Sequence, residues 1–444
     1  MTTTIFRFTC LAAAALLSGC QFATPIAPGT PEATSVPIAP PPVEEPPLPT
    51  EAAAATTAPT AAPTSAPTAE PPLTANAQDE CVKTYASAID YFPEKASVKD
   101  ATGFKVEYFK NYKVVTVLTP WAGATEAFRY VLVQCGTPAP AGFEGAQVID
   151  VPAKSAIAMS TTELPALEQL GVLDRLVALD SFLWTNNARV RDFIKAGKLI
   201  EIGSGPQVDV EKTINAKPDV IFASGSGVAE YDSHPKLLEA KLIVAIDGSY
   251  MEQSPLGRAE WSKFIALFFN KEALAEKTHG EIAAQYRALA EKALAATTRP
   301  VVLLGVPQKD DWYMAGGKSY MAHLLADAGA AYPWSDDAST GALPLKFEQV
   351  LDKAAKADIW LLNAFGVFTD SRAIMALDPR LDEFAAPKSG AVWNNDLQVN
   401  ANGGNAYYES GAANPQLILA DLISIVHPEL APDQKRVFHR RLAK

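Results

Sequence analysis

Residues 156–180 read AIAMSTTELPALEQLGVLDRLVALD. An apolar run gives way to the polar turn Ser160-Thr161-Thr162-Glu163, a stretch closing on Leu170-Gly171 follows, and a second apolar run at 176–180 ends on Asp180. Apolar β-rich runs alternating with helical stretches are the pattern of parallel α/β sheets. The alternation extends outward from this segment. Strands are expected at 112–118, 128–134 and 147–151 before it, and at 219–223 and 242–247 after it. No helix-length segment separates the first two, which predicts an antiparallel pair.

A much longer helical stretch occupies 256–296. Trp261, Phe264, Ile265 and Phe268 give it one apolar face that Ile282, Tyr286 and Leu289 continue, and no proline interrupts it. It predicts a single spine helix joining two α/β lobes, with Thr278 or Gly280 as the point where it would break. Beyond Pro300 the alternation resumes, with strands at 301–306, 358–363 and 392–394 and helices at 318–329 and 347–356. A last helix opens with Asn414 as N-cap and Pro415 at its first position and ends near His427-Pro428. A weak internal repeat links the lobes: Glu211 opens a helix leading through 216–219 into a strand, as Glu348 does through 355–358. The same similarity is also the ordinary helix-to-strand grammar of α/β proteins.

The N-terminus carries Arg7, an apolar run at 11–17 too short to span a bilayer, and Leu17-Ser18-Gly19-Cys20. This is a secretory signal, and its end resembles a bacterial lipobox, which makes Cys20 the lipid-bearing first residue. Residues 21–77 are mostly Pro, Ala, Thr, Ser and Glu, with too little apolar surface to order themselves, and predict a semi-extended tether. The remaining divisions are 78–255 for a first lobe with its preceding β-rich segment, 256–296 for the connecting helix and 297–444 for the second lobe. The chain carries a net charge of −12 with 48% hydrophobic residues. That acidity argues against nucleic acid as a partner and leaves the lipid anchor as the membrane contact. Of four cysteines, Cys10 leaves with the signal and Cys20 is lipidated. Cys81 and Cys135 remain, and outside the cytoplasm two such cysteines tend to pair; the alternative is two buried thiols.

Four segments together, 156–180, VEKTINAKPDVIF at 210–222, WYMAGGKSYMAHLLADAGA at 312–330 and NPQLILADLISIVHPEL at 414–430, resemble the ferric-siderophore and cobalamin class of ABC-importer periplasmic binding proteins. The resemblance implies class III architecture: two Rossmann-like α/β lobes on a spine helix, a ligand held between them, and a permease, with its ATPase, docked across both lobe tips. The cargo it implies is a ferric chelate, haem or cobalamin, with no resident cofactor. Each lobe of such a protein presents one glutamate to permease arginines, here Glu211 and Glu348. A carboxylate in the first turn of a helix suits that role, because it complements the dipole and accepts a bidentate arginine.

Ligand contacts are expected on loops after strands. That singles out Trp121, Thr161, Thr162, Phe182, Trp184 and Tyr231 in the first lobe. The second offers Trp312, Tyr313, Lys318, Tyr320, Phe365 and the loop 400–408 with Tyr407. Lys318 and Arg189 would meet an anionic chelate. The five histidines show no metal-ligand spacing. Gly316-Gly317-Lys318-Ser319 lacks the first glycine of a phosphate loop, whose place Trp312 takes. Ser224 stands where a nucleophile elbow centred on Ser226 needs its first glycine. An envelope hydrolase or a surface adhesin on the same fold is the alternative reading.

Overall fold

A computed structural model describes residues 72–364, 368 and 370–443. The signal, Cys20, nearly all of the tether and Phe365 lie outside the described residues. The described residues begin inside the stretch expected as tether: Asn76 is buried, and its side-chain amide donates to Glu94 O (2.7 Å) and Glu272 Oε2 (3.0 Å).

Strands β1 (Phe104–Tyr108), β2 (Tyr112–Val117), β3 (Phe128–Gln134) and β4 (Gln147–Val151) form a sheet in that order. β2 and β3 are antiparallel, as the short connection predicts, and β4 runs parallel to β3. A disulfide joins Cys81 to Cys135 at the end of β3. The first lobe follows as a parallel sheet of β5 (Ala156–Ala158), β6 (Leu176–Leu179), β7 (Ile200–Glu201), β8 (Val220–Ala223) and β9 (Val244–Ile246), in the order β7-β6-β5-β8-β9. Its helices are α1 (Leu164–Gln169), α2 (Ala188–Lys195), α3 (Val210–Asn215) and α4 (His234–Glu239). β5 and β8 are short and wholly buried, as strands covered on both faces must be.

The connection expected as one helix is two, α5 (Pro255–Leu267) and α6 (Glu272–Leu294). The break falls at Asn270, in the left-handed region with φ 55°, a conformation that asparagine tolerates. Its buried side chain repays the interruption, donating to Ala77 O and Gln134 Oε1 and accepting from Lys113 Nζ. Thr278 and Gly280 lie inside α6 without a break. Trp261, Phe264 and Phe268 pack against Phe104, Tyr130 and Phe222. The first sheet and the first lobe therefore share one core. Burial of each such ring is worth roughly 2 kcal/mol.

The second lobe has β10 (Val302–Leu304), a hairpin of β11 (Asp311–Ala315) and β12 (Ala342–Lys346), β13 (Ile359–Leu361), β14 (Val392–Asn394) and β15 (Arg440–Arg441). Its main sheet runs β10-β13-β14-β15 and is parallel except for β15. The helices are α7 (Tyr320–Asp327), α8 (Phe347–Ala354), α9 (Ser371–Met375), α10 (Ala385–Ser389) and α11 (Pro415–Val426). Trp312 faces inward on β11, is 0% exposed, packs on Phe347, Trp360 and Phe384, and donates from Nε1 to Leu304 O. It is a core residue, and the expectation that it touches ligand is corrected.

Candidate functional site

In both lobes the chain places polar residues where a buried strand ends, and these ends face a common seam. After β5, Ser160 caps the next turn: its Oγ accepts from Thr162 N, while the Glu163 carboxylate accepts from Ser160 N at 3.0 Å. Glu163 is buried. Desolvation raises its carboxyl well above the usual range, and the charges of Asp247 and Asp180 push it the same way. Asp180 follows β6, and burial pushes it up to about 7 against the backbone hydrogen bonds at Ser181 and Asp180; its Oδ1 has no hydrogen-bond partner among the described residues. Asp247 follows β9, accepts from Ser249 N, and is raised by burial, with Arg258 pulling the other way. Three acids thus meet on the first-lobe side, with Lys212 on the cavity that Asp180 lines and the cation of Arg258 near Asp247.

That cation bridges the lobes. Arg258, on α5, donates from Nη2 to Tyr250 O (2.9 Å) and Glu252 O (3.2 Å), and its guanidinium lies 4.0 Å over the ring of Tyr320 at the start of α7. On the second-lobe side Asn363 follows β13 with φ 44°, and Asn394 and Asn395 close β14. Asn363 Nδ2 reaches Met321 Sδ, and Asn395 Nδ2 donates to Tyr408 Oη. Tyr407 opens a π-helical turn to Gly411 and is buried. Burial raises Tyr320 and Tyr407 above the usual phenol range. Among the described residues, Arg258 Nε, Tyr320 Oη, Asn363 Oδ1, Asn394 Nδ2 and Asn395 Oδ1 are buried without hydrogen-bond partners, whereas buried polar atoms of folded proteins are nearly all bonded.

A latch closes one end of the seam. Asn400 Nδ2 donates to Leu183 O (2.9 Å) and Thr185 O (3.1 Å), Asn186 N donates to Glu409 Oε2 (2.6 Å), and Gln169 Nε2 to Asn414 Oδ1 (3.3 Å). Gly404 is required there, since a Cβ would stand 2.1 Å from Trp184 O. Asn414 therefore begins α11 as expected but spends its side chain on the latch rather than on a cap.

The residues singled out from sequence divide accordingly. Thr161, Thr162, Trp184, Tyr320 and Tyr407 lie on seam elements, with Trp184 48% exposed. Tyr231 is 50% exposed on the loop after β8, and Trp121 is half-buried beneath that loop on His234. Tyr313 lies on the opposite face of β11 from Trp312. Lys318 is exposed, and Gly316 and Gly317 before it press on the carbonyls of Ser339 and Asp337; the Gly-Gly-Lys run is a packing device. Arg189 is exposed and lies over Phe193 of its own helix. Glu163, Asp247, Arg258 and the three asparagines escaped the sequence reading as site residues. The signal available for most of them is a polar residue immediately after an apolar strand.

Glu211 and Glu348 both sit in first helical turns and are exposed. They are not equivalent: Glu348 pairs with Arg380 (2.8 Å), which also holds Asp378 and Asp310. Among the described residues, one group has metal-ligand proximity, Asp100, Glu260 and His279. Glu260, however, accepts from Lys99, Asp100 and Ala101 N and from Lys263 Nζ, so it fastens the segment before β1 to α5. No described helix is long and apolar enough to cross a membrane.

Two parallel α/β lobes, joined by helices and meeting at a polar seam, define a class III binding-protein fold. The family model described as "Periplasmic binding protein" matches residues 157–392, more than half of the chain, and the chain belongs to that family. Its members are substrate-binding proteins of ABC transporters rather than enzymes, which sets the hydrolase reading aside. Two uncharacterized lipoproteins of Methanocaldococcus jannaschii are similar, at 24% identity over 66% of this chain and 69% of the relative, and 25% over 68% and 76%. Among solved structures, a possible iron-binding periplasmic protein of Staphylococcus epidermidis aligns at 18% identity and TM-score 0.49, covering 62% of this chain and 99% of that one. A periplasmic heme binding protein of Pseudomonas aeruginosa aligns at 17% and 0.48, covering 66% and 99%.

Proposed function

We propose that this chain, anchored through Cys20, captures a metal chelate or related cofactor in the interlobe seam and delivers it to an ABC importer permease that docks on Glu211 and Glu348. The observation that carries this reading is the set of unpartnered polar atoms from both lobes at that seam, Arg258 Nε, Tyr320 Oη and Asn363 Oδ1 among them. The cargo is a ferric chelate, haem or cobalamin. Ionisation of Asp180, which burial raises to about 7, puts negative charge at the seam near neutral pH and would repel a polyanion, so among chelates of similar size the neutral or cationic ones bind best.

The test is a tryptophan-fluorescence titration of the purified protein with haemin, cobalamin, a neutral ferric trihydroxamate and a trianionic ferric tricatecholate. Saturable quenching at micromolar or tighter affinity by one of them is expected. No response from a folded protein would refute capture of this cargo class, and preferential binding of the trianion would refute the charge argument alone.

A further inference from the structure

We infer that Trp121, supplied by the sheet β1–β4 that lies outside the family-matched residues, is a positioning residue for the ligand seam. The inference rests on the reading of that seam as the ligand site.

The turn after β2 reaches across to the strand ends of the first lobe. Trp121 lies against Gly225 and Gly227 in the loop after β8: a Cβ on Gly225 would stand 2.7 Å from its Cε3, and one on Gly227 2.6 Å from its Nε1. Its ring stacks on His234 at 5.3 Å and meets Phe128 edge-on at 5.5 Å. Two residues earlier, Thr119 O would be 2.7 Å from a Cβ on Gly248, next to Asp247. Three glycines therefore admit this one turn, and a larger residue at any of them would push it out.

The contact continues to the second lobe. Tyr250 Oη donates to Gly225 O (2.7 Å), Tyr250 O accepts from Arg258 Nη2 (2.9 Å), and Arg258 covers the Tyr320 ring. The loop after β8 is otherwise held by Asp232, which accepts from Ser226 N and Gly227 N. Trp121 is thus the outer support of a chain of packed groups ending on Arg258 at the acidic seam. Without it, the loop after β8 and Tyr250 lose a wall, and Arg258 keeps Glu252 O and the Tyr320 ring but loses the firm placement of Tyr250 O.

The experiment compares full-length wild type, Trp121→Ala, Trp121→Phe and Gly225→Ala. Hydrogen exchange follows residues 224–252, and affinity is measured for whichever of haemin, cobalamin and the ferric trihydroxamate saturates the wild type. Trp121→Ala and Gly225→Ala act by opposite means, removing the ring and displacing it. Both should speed exchange across 224–252 and weaken binding at least tenfold, while Trp121→Phe recovers most of the affinity. Lowered thermal midpoints with unchanged affinity would make Trp121 a packing residue only and overturn the inference. A wild type that binds none of the probes overturns it together with the functional reading; a wild type that binds, with variants that bind as tightly, overturns it alone.

Discussion

Asp180 offers the most direct check on the acidic seam. An aspartate ordinarily titrates near 3.8, and burial in the folded chain raises this one to about 7. Folding therefore keeps a proton that the unfolded chain gives up, and the sign follows: the contribution is neutral below about pH 4, becomes destabilising as pH rises, and is complete above about pH 7. At about 1.4 kcal/mol per tenfold step the full penalty is roughly 4 kcal/mol, an upper bound because solvent reaching the seam screens it. Some 2–3 kcal/mol of it, on the order of half or more, accrues between pH 5 and pH 8. Asp180→Asn keeps the shape and removes the titration. Urea unfolding of both proteins at the two pH values should show the variant gaining by about that amount at pH 8 relative to pH 5. Parallel pH profiles, or a variant that loses stability at pH 8, would refute the claim that burial outweighs the backbone hydrogen bonds this carboxylate accepts at Ser181 and Asp180.

Lys113→Met should destabilise by about 3–5 kcal/mol in urea, because Lys113 and Glu272 are both fully buried partners and the substitution strands a carboxylate; the double variant with Glu272→Leu should recover most of the loss. The Cys81–Cys135 bond closes a separation of 54 residues, worth on the order of 4 kcal/mol by loop entropy, and the non-reduced protein should weigh a pair of hydrogens less than the reduced one; equal masses would end that assignment. Glu211→Ala with Glu348→Ala should abolish uptake in cells and leave ligand affinity unchanged. Singly, Glu211→Ala should do more damage, since Arg380 already occupies Glu348; lost affinity would instead place either glutamate at the seam.

The periodic parts of the chain announce themselves because their burial is one-sided or complete. β6, β8 and α8 fall where apolar spacing places them, and so does the antiparallel β2–β3 pair. The short elements do not. β7 is two exposed residues held by its neighbour β6, and α9 and α10 have five residues each, too few for a period to show. The break between α5 and α6 was hidden for a different reason. Asn270 offers a weak turn signal inside an apolar run, and its left-handed backbone is stabilised by Gln134, Lys113 and Ala77, residues 136 or more positions away in sequence.

The site was legible to the extent that it follows topology. Loops at the carboxyl ends of parallel strands could be named in advance, and Thr161, Thr162, Trp184 and Tyr407 lie on such elements. Trp312 failed because alternation within a strand, invisible until β11 was known to pair with β12, turns it inward. Exposed aromatics attract attention in a sequence, yet the chemistry at this seam belongs to short polar residues: Glu163 looks like a capping-box acid, which it also is, and Asp180, Asp247 and Asn363 look like turn formers. What sets them apart is that their strands end inside the protein rather than at its surface. Trp121 shows the converse. Named as a ligand contact, it is half-buried with its ring wedged against two glycines and a histidine, the packing on which its proposed positioning role rests.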